Sequence, residues 1–129
     1  MEVYDTLDKA LEVVASRSFY EPTTIYPMTN ESTASVFYAV ELDGSINNNL
    51  EVTYTDSMGL EFSDDAILDR SRVMEPYEMF TTADHIRYHM GDAIEALEED
   101  KAVEFSYHEI VNMDDMDNPC GWMLVAYLA

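Results

Sequence analysis

The chain has 129 residues, 27 acidic side chains against six lysines and arginines, a formal charge of -21, and 47% hydrophobic residues. Disorder needs too little apolar surface to offset lost chain entropy, so this composition excludes it despite the charge. The same sign excludes nucleic acid and anionic lipid as direct ligands, and the single cysteine, Cys120, excludes an internal disulfide.

A chain of this length buries roughly two thirds of the surface its unfolded form exposes, so one domain over residues 1–129 is expected. Nine Tyr, five Phe, one Trp and nine Met supply its core. The N-terminus MEVYDTLDKALEVV lacks a basic region followed by an apolar run, and no stretch approaches the ~20 apolar residues of a bilayer span. The expectation is a cytoplasmic protein, in a host cytoplasm if phage-encoded.

Asp5 or Thr6 caps a first helix, since Leu7, Ala10, Leu11 and Val14 share one stripe and the spacing carries it to Ser16–Ser18. Residues 21–35, with Pro22, Pro27 and Asn30, read as a surface loop. ASVFYAVEL then alternates, with Val36, Tyr38, Val40 and Leu42 on one face. LEVTYT repeats the pattern through Leu50, Val52 and Tyr54, and DGSINNN joins the two as a hairpin. MGLEF extends this meander as a third strand. Helical turns are expected at Asp64 or Asp65 and around Pro76.

Thr81 and Thr82 open the clearest helix, in which Ile86, Met90, Ala93, Ile94 and Leu97 form one inward stripe. AVEFSYHEIV alternates with Val103, Phe105, Tyr107 and Val111 inward and Glu104, Ser106 and His108 outward. NMDDMDNPCG reverses the chain, and the uniformly apolar WMLVAYLA fits a strand covered on both faces, inside a sheet. The expected fold is α+β: an antiparallel sheet of about four to five strands with one long and one shorter helix packed against it.

These elements force acids onto solvent faces: Glu41, Glu51 and Glu104 on strands, and Asp92, Glu95 and Glu99 along the long helix. Like charges three and four apart destabilise a helix by a few tenths of a kcal/mol each, so stability alone does not select them. Lys9, Arg17, Arg70, Arg72, Arg87 and Lys101 can neutralise at most six carboxylates. A domain about 35 Å across matches a length of duplex holding about 20 phosphates, a charge comparable to the protein's own excess.

In charge, size and aromatic content the chain resembles phage-encoded DNA mimics that inhibit restriction enzymes, CRISPR effectors or repair glycosylases. The resemblance implies a non-enzymatic inhibitor that occupies the nucleic-acid site of a basic DNA-binding protein without binding DNA itself, with a homodimer left open. The surface expected to carry this comprises Glu61, Asp64, Asp65, Asp69, Glu75, Glu78, Asp84, Tyr88, Asp92, Glu95, Glu98 and Glu99. Tyr77 is a further interface candidate, whereas Tyr38, Tyr54 and Tyr107 fall on inward faces. Two alternatives stand beside it: an acidic adaptor domain for a basic protein segment, and a salt-adapted domain of unrelated role. Nine Met, nine Tyr and only four Gly do not suit the latter.

Other chemistry finds little purchase. His85 and His89 have the i,i+4 spacing of paired metal ligands, with Asp84, Asp92 and His108 as further donors, yet HExxH is absent and both flank the buried stripe, which favours surface histidines. Asp114, Asp115, Asp117 and Asn118 lack the spacing and glycine of an EF-hand. No phosphate loop, nucleophile elbow or distinguishable carboxylate pair is present, so neither an enzyme nor a cofactor is expected.

Overall fold

A computed structural model describes residues 1–44, 51–55, 59–61, 67–73, 82–112 and 121–129, with the backbone alone at 51–55, 59–61, 72–73 and 109–112. In chain order the elements are β1 (Glu2–Tyr4), α1 (Leu7–Arg17), β2 (Thr23–Thr29), β3 (Val36–Leu42), β4 (Glu51–Thr55), β5 (Gly59–Glu61), β6 (Ile67–Val73), α2 (Ala83–His89), α3 (Gly91–Glu98), β7 (Val103–Asn112) and β8 (Gly121–Leu128). The class is α+β. Among the described residues the sheet has eight strands, more than the four to five expected, and three helices cover one face.

β7 organises the sheet. Along one side it pairs with β8, from Val103 opposite Leu128 to Ile110 opposite Gly121, and β8 pairs in turn with β6. The other side is shared. β2 runs antiparallel against Val103–Phe105 and leads on to β3 and β1, while β4 runs parallel against Glu109–Asn112 and leads on to β5. β8 is therefore internal, as its uninterrupted apolar sequence requires, with Met123, Leu124, Val125 and Ala126 all buried.

The core lies between the helices and the sheet. Leu7, Ala10, Leu11 and Val14 of α1 and Ile86, Ala93 and Leu97 of α2 and α3 meet Ile25, Val40, Val103, Phe105, Tyr107 and Leu124. Thr6 is the α1 cap, accepting from the Lys9 amide at 3.3 Å, and the helix ends at Arg17. Both ends fall where the sequence places them.

Six further expectations change. Residues 23–29 form an interior strand rather than part of a loop: Thr23, Thr24, Ile25 and Tyr26 are strong strand formers, and Thr23 and Ile25 alternate fully buried. Pro27 is tolerated because β7 flanks β2 only as far as Ile25, so proline removes no ladder bond on that side. No hairpin joins residues 36–42 to 51–55, since β3 pairs with β1 and β2 and β4 with β5 and β7. Val36 and Leu42, at the ends of β3, are 44% and 40% exposed rather than inward. The segment ILDRSRV, to which the sequence pattern assigns no element, is a strand paired with β8; the helical turns expected at Asp64 or Asp65 and around Pro76 lie outside the described residues.

The single long helix is two. Met90 leaves helical geometry at φ -128°, ψ 54°, directly before Gly91, the poorest helix former after proline. Its side chain stays fully buried, so the inward stripe continues across the break. Finally, Ser106 and His108, expected outward, are 1% and 7% exposed. Among the described residues no helix is long and apolar enough to cross a membrane.

Candidate functional site

The acidic surface is built on α2 and α3. Thr82 caps α2 by accepting from the His85 amide at 3.3 Å, and Glu12 of α1 reaches across to accept from the Ala83 amide at 3.1 Å. Arg87 donates to Asp8 at 2.6 Å, a second tie between α1 and α2. The first turn of α3 is held by Asp69 of β6, whose Oδ2 accepts from the Ala93 amide at 2.6 Å. These contacts fix the two helices against the sheet and turn their remaining polar faces to water.

Six of the expected surface residues lie on these two helices. Asp84 and Tyr88 project from α2, and Asp92, Glu95, Glu98 and Glu99 from α3 and its C-terminal cap; all six are exposed, Tyr88 by 85%. Tyr88 rests edge-on against His89 with ring centroids 4.8 Å apart. At 1.5 Å rise per residue, Asp92, Glu95 and Glu99 follow one another at about 4.5 and 6 Å along the axis. The spacing along one strand of duplex, about 3.4 Å per phosphate, is of the same order.

Among the described residues three of the paired cations bind acids outside this set, and Lys101 binds Glu99 within it. Lys9 pairs with Asp5, Arg17 with Glu21, Arg87 with Asp8 and Lys101 with Glu99, the last at 3.3 Å. Among the described residues Asp84, Asp92, Glu95 and Glu98 take part in no ion pair. The C-terminus of α3 is the clearest anomaly. Helix dipoles favour cations there, yet the last turn holds no basic residue and Glu95, Glu98, Glu99 and Asp100 crowd it. Asp100 adopts φ 64°, and the Lys101 amide donates to the Ala96 carbonyl and the Asp100 amide to Leu97, a Schellman closure with aspartate where glycine is preferred.

Asp69 does not belong to this outward set. It is half-buried, its acceptor oxygen serves α3, and burial, reinforced by the neighbouring Asp92 charge, raises its pKa. Glu61 lies in β5, where only the backbone is described; Asp64, Asp65, Glu75 and Glu78 lie outside the described residues, as do Tyr77, Cys120 and the Asp114–Asn118 group, and Tyr54 is described by its backbone only. Tyr107 is buried and Tyr38 half-buried, as their inward placement requires. His85 and His89 are exposed, and among the described residues no group of three or more potential ligands is disposed to hold a metal ion.

Two features were missed. On the sheet face away from the helices, the His108 Nε2 lies 2.8 Å from the Tyr127 hydroxyl and 3.2 Å from Ser106 Oγ. Burial lowers the His108 pKa to about 4, so the ring is neutral, and Ser106 has no access to solvent; this is a structural network. The signal was available in β8: a strand apolar on both faces implies that the neighbouring strand is covered on both as well. The second feature is a pocket of about 210 Å³ lined by Thr24, Tyr26, Glu41, Asp43 and Glu104. Only the register of β2, now known to be a strand, brings these residues together.

No protein-family model, curated protein or solved structure matches this chain.

Proposed function

We propose that this protein is a non-enzymatic inhibitor whose exposed carboxylates on α2 and α3 stand in for phosphates and occupy the DNA-binding cleft of a basic protein of restriction, CRISPR or repair type. One observation carries the reading: Glu95, Glu98, Glu99 and Asp100 are concentrated at the end of α3 where the helix dipole and their mutual repulsion oppose them. Charge kept against stability points outward. A field of this sign accelerates encounter with a cationic cleft, and counterions released from both surfaces favour the complex. Tyr88, nearly fully exposed beside the row, supplies rigid contact area with a polar tip.

The test is capture from a host lysate on the immobilised protein, with and without excess duplex DNA. Retention of a basic DNA-binding protein that duplex displaces supports mimicry. Retention of a partner indifferent to duplex rejects it in favour of an adaptor role.

A further inference from the structure

Among the described helices, α3 is the one least able to stand by itself. It has eight residues, where an isolated helix needs roughly 12–15, and it begins at Gly91 behind Met90, which supplies no side-chain cap. Its last turn carries acids and no base, against the helix dipole. α1 and α2, by contrast, are capped by Thr6 and Thr82. The α3 helix therefore depends on what it packs against: the buried side chains of Ala93, Ile94, Ala96 and Leu97, and the hydrogen bond from the Ala93 amide to Asp69 of β6 at 2.6 Å.

Met90 is the joint between α2 and α3. Its amide donates to the Ile86 carbonyl at 2.8 Å, closing α2, and its carbonyl accepts from the Ile94 amide at 3.1 Å, opening α3. Its backbone between them, at φ -128° and ψ 54°, belongs to neither helix. The buried Met90 side chain pins the pivot, and a Cβ added at Gly91 would meet no neighbouring atom, so nothing wedges the joint there. The anchors on its two sides differ as well. α2 is tied to α1 through Glu12 and Arg87, whereas α3 is tied to β6 through Asp69.

The Asp69 tie carries a load. Burial raises the Asp69 pKa, the Ala93 bond opposes the rise, and the charge of Asp92 adds to it. Ala126, opposite Asp69 on β8, is uncharged, and Arg70 is in register with Val125 and so points to the other face of β6. Asp92 is exposed, where its charge can be met from outside. We propose that α3 opens from the sheet as a local unit, pivoting at Met90 and Gly91 and latched by Asp69, and that neutralising Asp92 tightens the latch. By linkage, a cation seated against Asp92 closes α3; that consequence rests on the mimicry reading, while the latch itself does not.

Native-state amide exchange of the ¹⁵N-labelled full chain in low urea tests this. The amides of Ile94 to Glu99 are expected to share one opening with a shallow urea dependence, at least tenfold more frequent than that of β7 and β8 amides that await global unfolding, and not shared by the Met90 amide that closes α2. Asp69→Ala should increase the α3 opening about fivefold, and Asp69→Asn, which keeps an acceptor oxygen, less than twofold. Asp92→Asn, made in the wild type and in the Asp69→Asn chain, should favour the closed helix at least twofold more in the former, the excess being the coupling of the two carboxylates. Exchange of α3 only with global unfolding, or together with Met90 and the rest of α2, would overturn the hinge. Equal effects of Asp69→Ala and Asp69→Asn would overturn the latch, and an Asp92→Asn effect identical in the two backgrounds would overturn its dependence on charge. None of these readouts involves a target, so failure of the mimicry reading leaves them unchanged.

Discussion

Asp69 and His108 show burial acting on two titratable side chains in opposite directions, raising the pKa of the acid and lowering that of the base. Asp69 spends its charge inside, on the first turn of α3, at the cost of a raised pKa. The raised value means that its carboxyl favours the fold most when protonated, and that contribution is lost as pH rises through the folded pKa. Asp69→Asn keeps an acceptor without the charge and is expected to leave stability at pH 7 within about 0.5 kcal/mol or improve it, whereas Asp69→Ala loses about 1 kcal/mol with the cap. Urea unfolding of the two variants checks this; equal losses would remove the capping role. For His108 the folded pKa, about 4, lies below the unfolded value. The unfolded chain therefore takes up a proton first, and the contribution present above pH 6.5 is lost as pH falls toward 4, on the order of 2 kcal/mol allowing for partial hydration. His108→Gln should flatten that part of a stability-pH curve. Neither role was legible in the sequence, because both depend on cross-strand neighbours set by register, although the apolar run of β8 already implied a covered second face for β7.

At the level of elements, the α1 boundaries, the existence of strands β7 and β8 and the inward stripe through Ile86, Met90, Ala93 and Leu97 could all be read from spacing and caps, because each rests on local periodicity. β2 and β6 could not. Proline, threonine and interspersed charges masked strands whose partners lie far away in sequence, and tertiary pairing outweighed local turn chemistry. The break at Met90 is a similar case, since the buried stripe is the same for one helix or two. Gly91 has φ outside the left-handed region and open space where a Cβ would stand, so Gly91→Ala is expected to stabilise by about 0.4–1 kcal/mol. At the far end of α3, Asp100→Gly supplies the preferred residue for φ 64° and removes an acid from the negative pole of the helix. Thermal unfolding should rise by several degrees for this change and for Glu98→Gln, while target binding weakens; a loss of stability in both would undo the argument that these acids are held against the fold's interest.

For the whole molecule, a net charge of -21 on 129 residues makes self-repulsion the dominant electrostatic fact. Salt screens it: at 0.1 M the Debye length is about 10 Å, shorter than the domain. The melting temperature should therefore climb between about 0.01 and 0.3 M NaCl and then level off. A protein that folds only near molar salt would instead be the salt-adapted domain. The sequence alone conveyed the size of this charge and the α+β class, but not its distribution, because which acids cap helices, pair with arginine or face water is decided by packing. The account rests most heavily on the row from Asp92 to Glu99, and the affinity of wild type and of the Asp92→Asn, Glu95→Gln, Glu98→Gln, Glu99→Gln variant for the captured target, measured across roughly 0.05–0.5 M salt, tests it most directly. The predicted result is a steep fall of wild-type affinity with salt, and at least a tenfold loss with a shallower slope for the variant. Equal affinity and equal slope for the two proteins would contradict it.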